Sequence, residues 1–207
     1  MKNTTTARRG LLKAGASVAA LSSVGILSGC ATSQTAMAPA KKLGRVVVIG
    51  GGYGGATAAK YLQEWGGGAI EVVLIERDRE FYSCPISNLV LGGVQKIDYI
   101  KRGYGGLRER GILVLNDEVT KIDPVKQVVS MRKIADMRYD RLIVSPGVDF
   151  NFGAVAGLNA EAQKVVLHSW KAGAQTIALR AQLEAMPNGG VYVLTVPKAP
   201  YRCPPGP

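Results

Sequence analysis

Three glycines with G-x-G-x-x-G spacing, Gly50, Gly52 and Gly55, are the residues of this chain best suited to bind phosphate. The first glycine permits a tight turn, and the second lets backbone approach a pyrophosphate. The third lets a helix pack closely on a strand. The start of such a helix adds unpaired N–H groups and the positive end of its dipole. The motif therefore predicts a dinucleotide-phosphate site, provided that a strand precedes it and a helix follows.

The flanking sequence supplies both elements. Residues 46–49 are four consecutive β-branched apolar residues, typical of a strand buried on both faces, and residues 56–65 are predicted to form a helix. A second apolar strand over residues 70–75 ends at Glu76. That acid lies about 20 residues beyond the glycines, where a ribose-binding carboxylate belongs. Strand, glycines, helix, strand and acid in this order predict a Rossmann-like α/β fold.

Three cysteines and one histidine are the remaining residues whose chemistry needs an explanation. Cys30, Cys84, Cys203 and His168 lack the spacing of metal ligands, so we predict no metal site. An isolated cysteine is most often a buried core residue. We interpret His168 as structural, because it precedes a predicted helix and nothing in the sequence pairs with it.

The rest of the chain contains further strand patterns. Short antiparallel strands are predicted over residues 118–123, 127–132 and 137–139, and an apolar strand begins at residue 139 and runs into a Pro-Gly turn at residues 146–147. The carboxyl end of that strand is expected to lie at the cofactor. In addition, short helices are predicted behind Pro85 and within residues 103–110, with a short strand over residues 112–115.

The last fifty residues are predicted to begin a second α/β unit. Residues 171–186 have helical periodicity, residues 188–190 are expected to stop that helix, and residues 191–196 are expected to form a strand. The Pro-rich segment that follows has no glycine fingerprint and few N–H donors, which disfavours a nicotinamide site. Because a lone strand cannot complete a sheet, we expect a truncated polypeptide.

The N-terminal residues predict export. Residues 6–13 resemble a twin-arginine signal, followed by a weakly apolar run too short for a comfortable membrane span. Residues 27–30 resemble a lipobox, in which Cys30 would carry a lipid anchor. The alternatives are cleavage near residues 36–38 or a basic, disordered N-terminus. Periplasmic localisation is the expectation, with residues 31–42 as a flexible tether.

Charge excludes one class of function. The 207-residue chain has a net charge of +11, and the leader over residues 1–40 contributes four of those charges without any acid. The remaining positive charge is spread along the chain and includes no arginine cluster interleaved with aromatic residues. Nucleic-acid binding is therefore disfavoured, whereas an acidic partner stays possible.

Two cysteine-containing segments carry a family resemblance. Residues 81–93 and 200–207 resemble the flavoprotein subunit of flavocytochrome c sulfide dehydrogenase, and residues 139–147 and 170–176 agree with it as well. The resemblance runs from the leader to the last residue. Members of that family are longer, so the chain corresponds to their N-terminal half.

The resemblance implies particular roles for both cysteines. Cys84 matches the residue that forms a thioether to the 8α-methyl group of FAD, and Cys203 matches one half of a redox disulfide attacked by sulfide. The partner of Cys203 lies in the family's C-terminal half. A disulfide attacked by hydrosulfide gives a persulfide and a thiolate able to reduce flavin. Flavin can pass single electrons to haem, which is expected on a separate c-type cytochrome because this chain lacks C-x-x-C-H.

The remaining site predictions concern FAD binding. Glu76 is expected on the ribose hydroxyls, and Ser145 and Gly147 are expected to place backbone near the flavin phosphates. Glu118 and Val119 are expected to bring backbone to the adenine. Trp170 and Tyr201 are predicted to be packing residues rather than residues that stack on the cofactor.

Taken together, these patterns predict an α/β, Rossmann-like FAD-binding domain of the FAD/NAD(P) disulfide-reductase type. The predicted units are a leader and tether (1–40), an FAD-binding domain (41–153) and the start of a second, incomplete α/β domain (154–207). The predicted function is FAD-dependent sulfide oxidation with a c-type cytochrome as partner. Alternatives are a sulfide:quinone oxidoreductase, a generic FAD-dependent pyridine nucleotide-disulfide oxidoreductase and an inactive truncated remnant.

Overall fold

A parallel sheet, flanked by helices and a small antiparallel sheet, is the centre of the computed structural model, which describes residues 42–195. In chain order its elements are β1 (Gly44–Ile49), α1 (Tyr53–Trp65), β2 (Ile70–Ile75), β3 (Glu80–Tyr82), α2 (Asn88–Leu91), β4 (Lys101–Gly103), α3 (Gly105–Glu109), β5 (Leu113–Leu115), β6 (Val119–Asp123), β7 (Val128–Met131), β8 (Met137–Arg138), β9 (Arg141–Val144), α4 (Ala162–Val165) and α5 (Ala174–Ala185). Short 3₁₀ turns at Ile97–Tyr99 and Phe152–Ala154 complete the list.

The central sheet has the strand order β5-β2-β1-β9, with every neighbouring pair parallel. β1 lies in the middle, where Val46 is opposite Val72 on one side and Arg141 on the other. Because β1 and β2 are covered on both faces, their sequences are continuous apolar runs rather than alternating patterns. This arrangement confirms the predicted α/β fold with a parallel sheet.

Each face of the sheet has its own apolar cluster. One face packs under α1 and α3, with buried Val48, Leu74 and Ala59 among its members. The other packs under the antiparallel sheet β6-β7-β8, with Val47 and Val73 fully buried. Alternate residues of β1 and β2 therefore point to opposite clusters, as the pleat of a strand requires.

A buried carboxylate links the start of β6 to the segment that follows β7. Asp117 is 4% exposed and accepts backbone N–H groups from Glu118, Lys133 and Ile134 at 2.8 Å. Burial favours its neutral form, but these N–H donors hold the pKa of Asp117 below its ordinary value. The carboxylate thereby fixes the start of β6 and the end of the hairpin that contains β7.

The C-terminal helix α5 packs against α2. The Arg180 guanidinium donates from Nη1 to the Leu91 carbonyl at 3.0 Å and pairs with Glu184 at 2.7 Å. The helix begins at Ala174 and ends at Ala185, one residue before the end of the predicted span 171–186, because Met186 precedes a proline and is extended. Among residues 42–195, no helix combines the length and apolarity needed to cross a membrane.

The strand predicted over residues 191–196 is wrong for the part that the structure describes. Residues 191–195 form no strand, and Val191 and Val193 are 87% and 73% exposed. β-propensity alone does not make a strand, because a strand needs a hydrogen-bonding neighbour and a face to bury. The predictions for Cys30, the export signal and Cys203 lie outside the described residues.

Candidate functional site

The glycine turn between β1 and α1 has no room for a β-carbon at two of its three motif glycines. Gly50 has φ +94°, and a β-carbon there would lie 2.0 Å from the Ser145 carbonyl oxygen. A β-carbon on Gly55 would lie 1.8 Å from the Gly50 carbonyl oxygen, so Gly55 allows α1 to pack on β1. Gly52 is different, because its nearest neighbour would be Phe81 at 3.9 Å, and it faces open space.

The N-terminus of α1 has the properties of an anion site. The helix is 13 residues long, begins at Tyr53 rather than at the predicted residue 56, and has Gly52 as its N-cap. No side chain caps it, and its first turn contains no acidic residue. The unpaired N–H groups at such a helix end, together with the positive dipole end, fit a phosphate group.

The carboxylate of Glu76 is fixed beside this turn. Its Oε2 accepts the Gly51 N–H at 2.6 Å, and its Oε1 accepts the Asp78 N–H at 2.9 Å. An ionised carboxylate has about four acceptor positions. Two of them are used here, and the others are available to ribose hydroxyl groups.

A cavity of about 640 Å³ brings most of the predicted site residues together, and its volume is in the range of small-molecule sites. Predicted site residues that line it are Gly52, Glu76, Cys84, Ser145 and Gly147. A neighbouring cavity of about 330 Å³ shares Glu76 and Gly147 with it, and is also lined by Gly50, Glu118 and Val119. Gly55 lines neither cavity, in keeping with its packing role.

Cys84 is held in place at the wall of the larger cavity. Its thiol is half-buried and donates to the Trp170 carbonyl at 3.1 Å. Its own carbonyl accepts from the Ser87 N–H at 3.0 Å and the Ser87 hydroxyl at 2.8 Å. The thiol thus has a fixed position beside the glycine turn, although the two segments are about thirty residues apart in sequence.

Sequence reasoning missed several residues that line this cavity. Tyr53 and Phe81 meet edge to face with ring centroids 5.0 Å apart. Tyr104, Phe150 and Lys171 are further examples of such lining residues. Tyr53 lies inside the glycine motif itself, and Lys171 follows Trp170 in a segment that carries the family resemblance, so these two could have been proposed. Phe81 is the first residue of segment 81–93, which also carries the resemblance, so it could have been proposed as well, whereas Tyr104 and Phe150 reach the cavity only through the tertiary fold.

His168 packs in an aromatic cluster and does not line the cavity. Its ring lies 4.5 Å from that of Phe150 and 5.8 Å from that of Phe152, and within residues 42–195 its Nδ1 has no hydrogen-bond partner. Burial lowers the pKa of His168, Lys171 lowers it further, and Asp149 opposes both. These surroundings favour the structural interpretation. Asp149 pairs with Lys171 at 3.7 Å.

Two family models match this chain. The family model for pyridine nucleotide-disulphide oxidoreductases matches residues 44–182. The chain belongs to this family. A second family model, for the central part of the sulfide dehydrogenase [flavocytochrome c] flavoprotein chain, matches residues 176–207.

Two relatives are similar to parts of this chain. The mitochondrial sulfide:quinone oxidoreductase of Dictyostelium discoideum is 25% identical over 166 residues, which cover 79% of this chain and 36% of the relative. The flavocytochrome c flavoprotein chain of Chlorobaculum thiosulfatiphilum is 52% identical over 46 residues, or 22% of this chain and 94% of that sequence. These matches confirm the resemblance to the flavoprotein chain.

Solved structures confirm the disulfide-reductase type of fold. The sulfide:quinone oxidoreductase of Aquifex aeolicus superposes with a TM-score of 0.57 and 26% identity, over 68% of this chain and 31% of that one. A water-forming NADH oxidase from Lactobacillus brevis gives a TM-score of 0.56 at 23% identity, over 69% and 32% of the respective chains. The chain spans about a third of the length of the sulfide:quinone oxidoreductases that it matches.

Proposed function

We propose that this chain binds FAD and belongs to a sulfide-oxidising flavoprotein that passes electrons to a c-type cytochrome. The observation that carries the proposal is the convergence of Gly52, Glu76 and Cys84 on one cavity. The matches to sulfide dehydrogenase and sulfide:quinone oxidoreductase sequences support sulfide as the substrate. The uncapped N-terminus of α1 and the free acceptor positions of Glu76 fit the two phosphates and the ribose of a dinucleotide.

The residues of this chain then have distinct tasks. The N–H groups after Gly52 bind pyrophosphate, Glu76 binds ribose, and backbone at Ser145 and Gly147 lies near the phosphates. The smaller cavity, with backbone from Glu118 and Val119, receives the adenine. When bound, FAD supplies the ability to accept an electron pair and to release the electrons singly.

Cys84 is proposed as the covalent attachment point of the flavin. Its thiol lines the larger cavity and is oriented by Trp170. Cys203 is proposed as one half of the redox disulfide that reacts with sulfide, and the match of residues 176–207 to the flavoprotein model supports that assignment. Export by the twin-arginine route to the periplasm, with Cys30 as an optional lipid anchor, remains part of the proposal.

A sulfide:quinone oxidoreductase is the second candidate. It is favoured by the length of the match to the Dictyostelium discoideum enzyme and by the Aquifex aeolicus structure. The two candidates share sulfide as substrate and differ in the electron acceptor. An inactive remnant is the third alternative, and an activity measurement separates it from both.

The test uses the FAD-loaded flavoprotein from its native host, together with the polypeptide that carries the partner cysteine of Cys203, under anaerobic conditions. Sulfide is expected to bleach the visible flavin absorbance, and oxidised cytochrome c is then expected to restore it faster than a soluble quinone does. Cys203→Ser should abolish bleaching, while Cys30→Ser, a matched loss of one thiol, should leave it unchanged. Faster reoxidation by quinone would favour the second candidate. A flavin-loaded protein that contains the complete Cys203 disulfide and that sulfide cannot bleach would contradict both.

A further inference from the structure

Tyr104 is a buried residue next to the glycine turn for which the proposed function has no role. It lies immediately before α3, is 6% exposed, and borders the larger cavity. It also lines a second cavity of about 320 Å³ on the side of Arg79 and Arg108, so it belongs to the wall of both cavities. A tyrosine buried in such a wall must find a partner for its hydroxyl group.

That partner is the carbonyl group of Gly51. The Tyr104 hydroxyl donates to it at 3.1 Å, while the N–H of Gly51 donates to Glu76 at 2.6 Å. Both polar groups of Gly51 are therefore bound by side chains from other parts of the chain. Gly51 lies between the two glycines that form the turn, so these bonds determine the orientation of the peptide groups on either side of it.

The contact also explains the residue type at position 51. A β-carbon there would lie 2.6 Å from the Tyr104 hydroxyl oxygen and 2.7 Å from Cε1 of the ring. The dinucleotide motif leaves this position free. In this chain, the ring of Tyr104 makes glycine necessary there.

The hydroxyl group of Tyr104 is a hydrogen-bond donor because it carries its proton. Burial raises the pKa of Tyr104 well above its ordinary value, and the nearby carboxylates of Glu76 and Asp78 raise it further. The phenol is therefore neutral at neutral pH, and it keeps the proton that it donates to the Gly51 carbonyl.

We propose that Tyr104 is a positioning residue for the phosphate-binding turn. It acts through Gly51 and, with Glu76 on the opposite side, keeps the turn in the conformation that directs N–H groups at a pyrophosphate. Without the Tyr104 hydroxyl group the turn populates other conformations. The apparent affinity for the phosphate ligand is then reduced in proportion to the fraction of molecules whose turn has the binding conformation. The inference rests on the proposed dinucleotide site and does not depend on sulfide oxidation.

The experiment compares ADP with adenosine as probes, using calorimetric titration of the full chain. Tyr104→Phe removes only the hydroxyl group and is expected to raise the dissociation constant of ADP about fivefold, which corresponds to one neutral hydrogen bond. The affinity for adenosine, which has no phosphate, is expected to stay the same. Tyr99→Phe is the matched control, because Tyr99 is 46% exposed and borders none of these cavities.

Hydrogen exchange of the free protein supplies a readout without ligand. Amides of residues 50–55 should exchange faster in Tyr104→Phe than in the wild type, at unchanged exchange in β2. An ADP affinity that stays constant, or an equal loss for ADP and adenosine, would overturn the positioning role. A wild-type chain that binds neither ADP nor FAD would instead overturn the proposed dinucleotide site, and the role of Tyr104 with it.

Discussion

Gly55 is a position at which no side chain fits without a shift of the backbone. Its missing β-carbon leaves room for the Gly50 carbonyl oxygen, which would otherwise be 1.8 Å away. Gly55→Ala is expected to destabilise the fold by about 1–3 kcal/mol, the usual cost of overpacking. Urea unfolding measures the effect. Gly105→Ala is the control, since nothing lies within 4 Å of its position, and equal stability of the two variants would contradict the account.

His168 gives a prediction for the effect of pH on stability. Burial lowers its pKa in the fold, so between the folded value and the unfolded value of 6.5 the unfolded chain binds more protons. The contribution of His168 to stability is therefore complete above pH 6.5 and is lost as the pH falls through this range. Asp149 and Lys171 are the charged groups that face it.

Unfolding free energies between pH 7 and pH 5 measure this contribution. His168→Gln removes the titrating group, so the stability of the variant should fall less with acidification than that of the wild type. The difference between the two slopes of unfolding free energy against pH should correspond to the uptake of less than one proton per molecule. Identical slopes for the two proteins would show that the pKa of His168 does not change on folding.

At the residue scale, the sequence indicated the site residues whose reasons are local. Gly50, Gly55 and Glu76 occupy positions that follow from the strand–turn–helix order. The contact of Tyr104 with Gly51 joins residues 53 positions apart, and no spacing in the sequence links the two. The fixed thiol of Cys84 likewise depends on Trp170, 86 positions away.

At the element scale, the strength of the hydrophobic pattern decided what could be predicted. β1 and β2 were predictable because long apolar runs on both sides of a glycine motif have few alternatives. α1 begins at Tyr53, earlier than predicted, because Gly54 and Gly55 can enter a helix when its first turn packs on a strand. Residues 191–195 could not be placed, since a strand requires a neighbour that periodicity does not reveal.

The contact between α5 and α2 gives a third stability prediction. Arg180→Met removes the hydrogen bond to the Leu91 carbonyl while keeping the length of the side chain, and should lower the free energy of unfolding by about 1–2 kcal/mol. Lys164→Met is the control, because the Lys164 side chain is 68% exposed and, among residues 42–195, forms its ion pair with the exposed Glu161 three positions earlier. Denaturant unfolding measures both variants, and an equal effect would show that Arg180 does not join the two helices.

At the scale of the whole molecule, the larger cavity joins parts of the chain that are far apart. The glycine turn, the Cys84 loop, the carboxyl end of β9 and the segment at Trp170 all border it. Ligands of open α/β sheets bind at the carboxyl ends of the strands, and the cavity lies there. The fold therefore explains why one small molecule would contact residues from position 52 to position 172.

The most direct test of this account is the mass of the tryptic peptide Glu80–Lys96 from protein purified from its native host. The peptide contains Cys84 as its single cysteine. The account predicts a mass increase equal to FAD, located on Cys84 by fragmentation. An unmodified peptide from protein that carries FAD would contradict the covalent role of Cys84. An unmodified peptide from protein without flavin would contradict the FAD site itself.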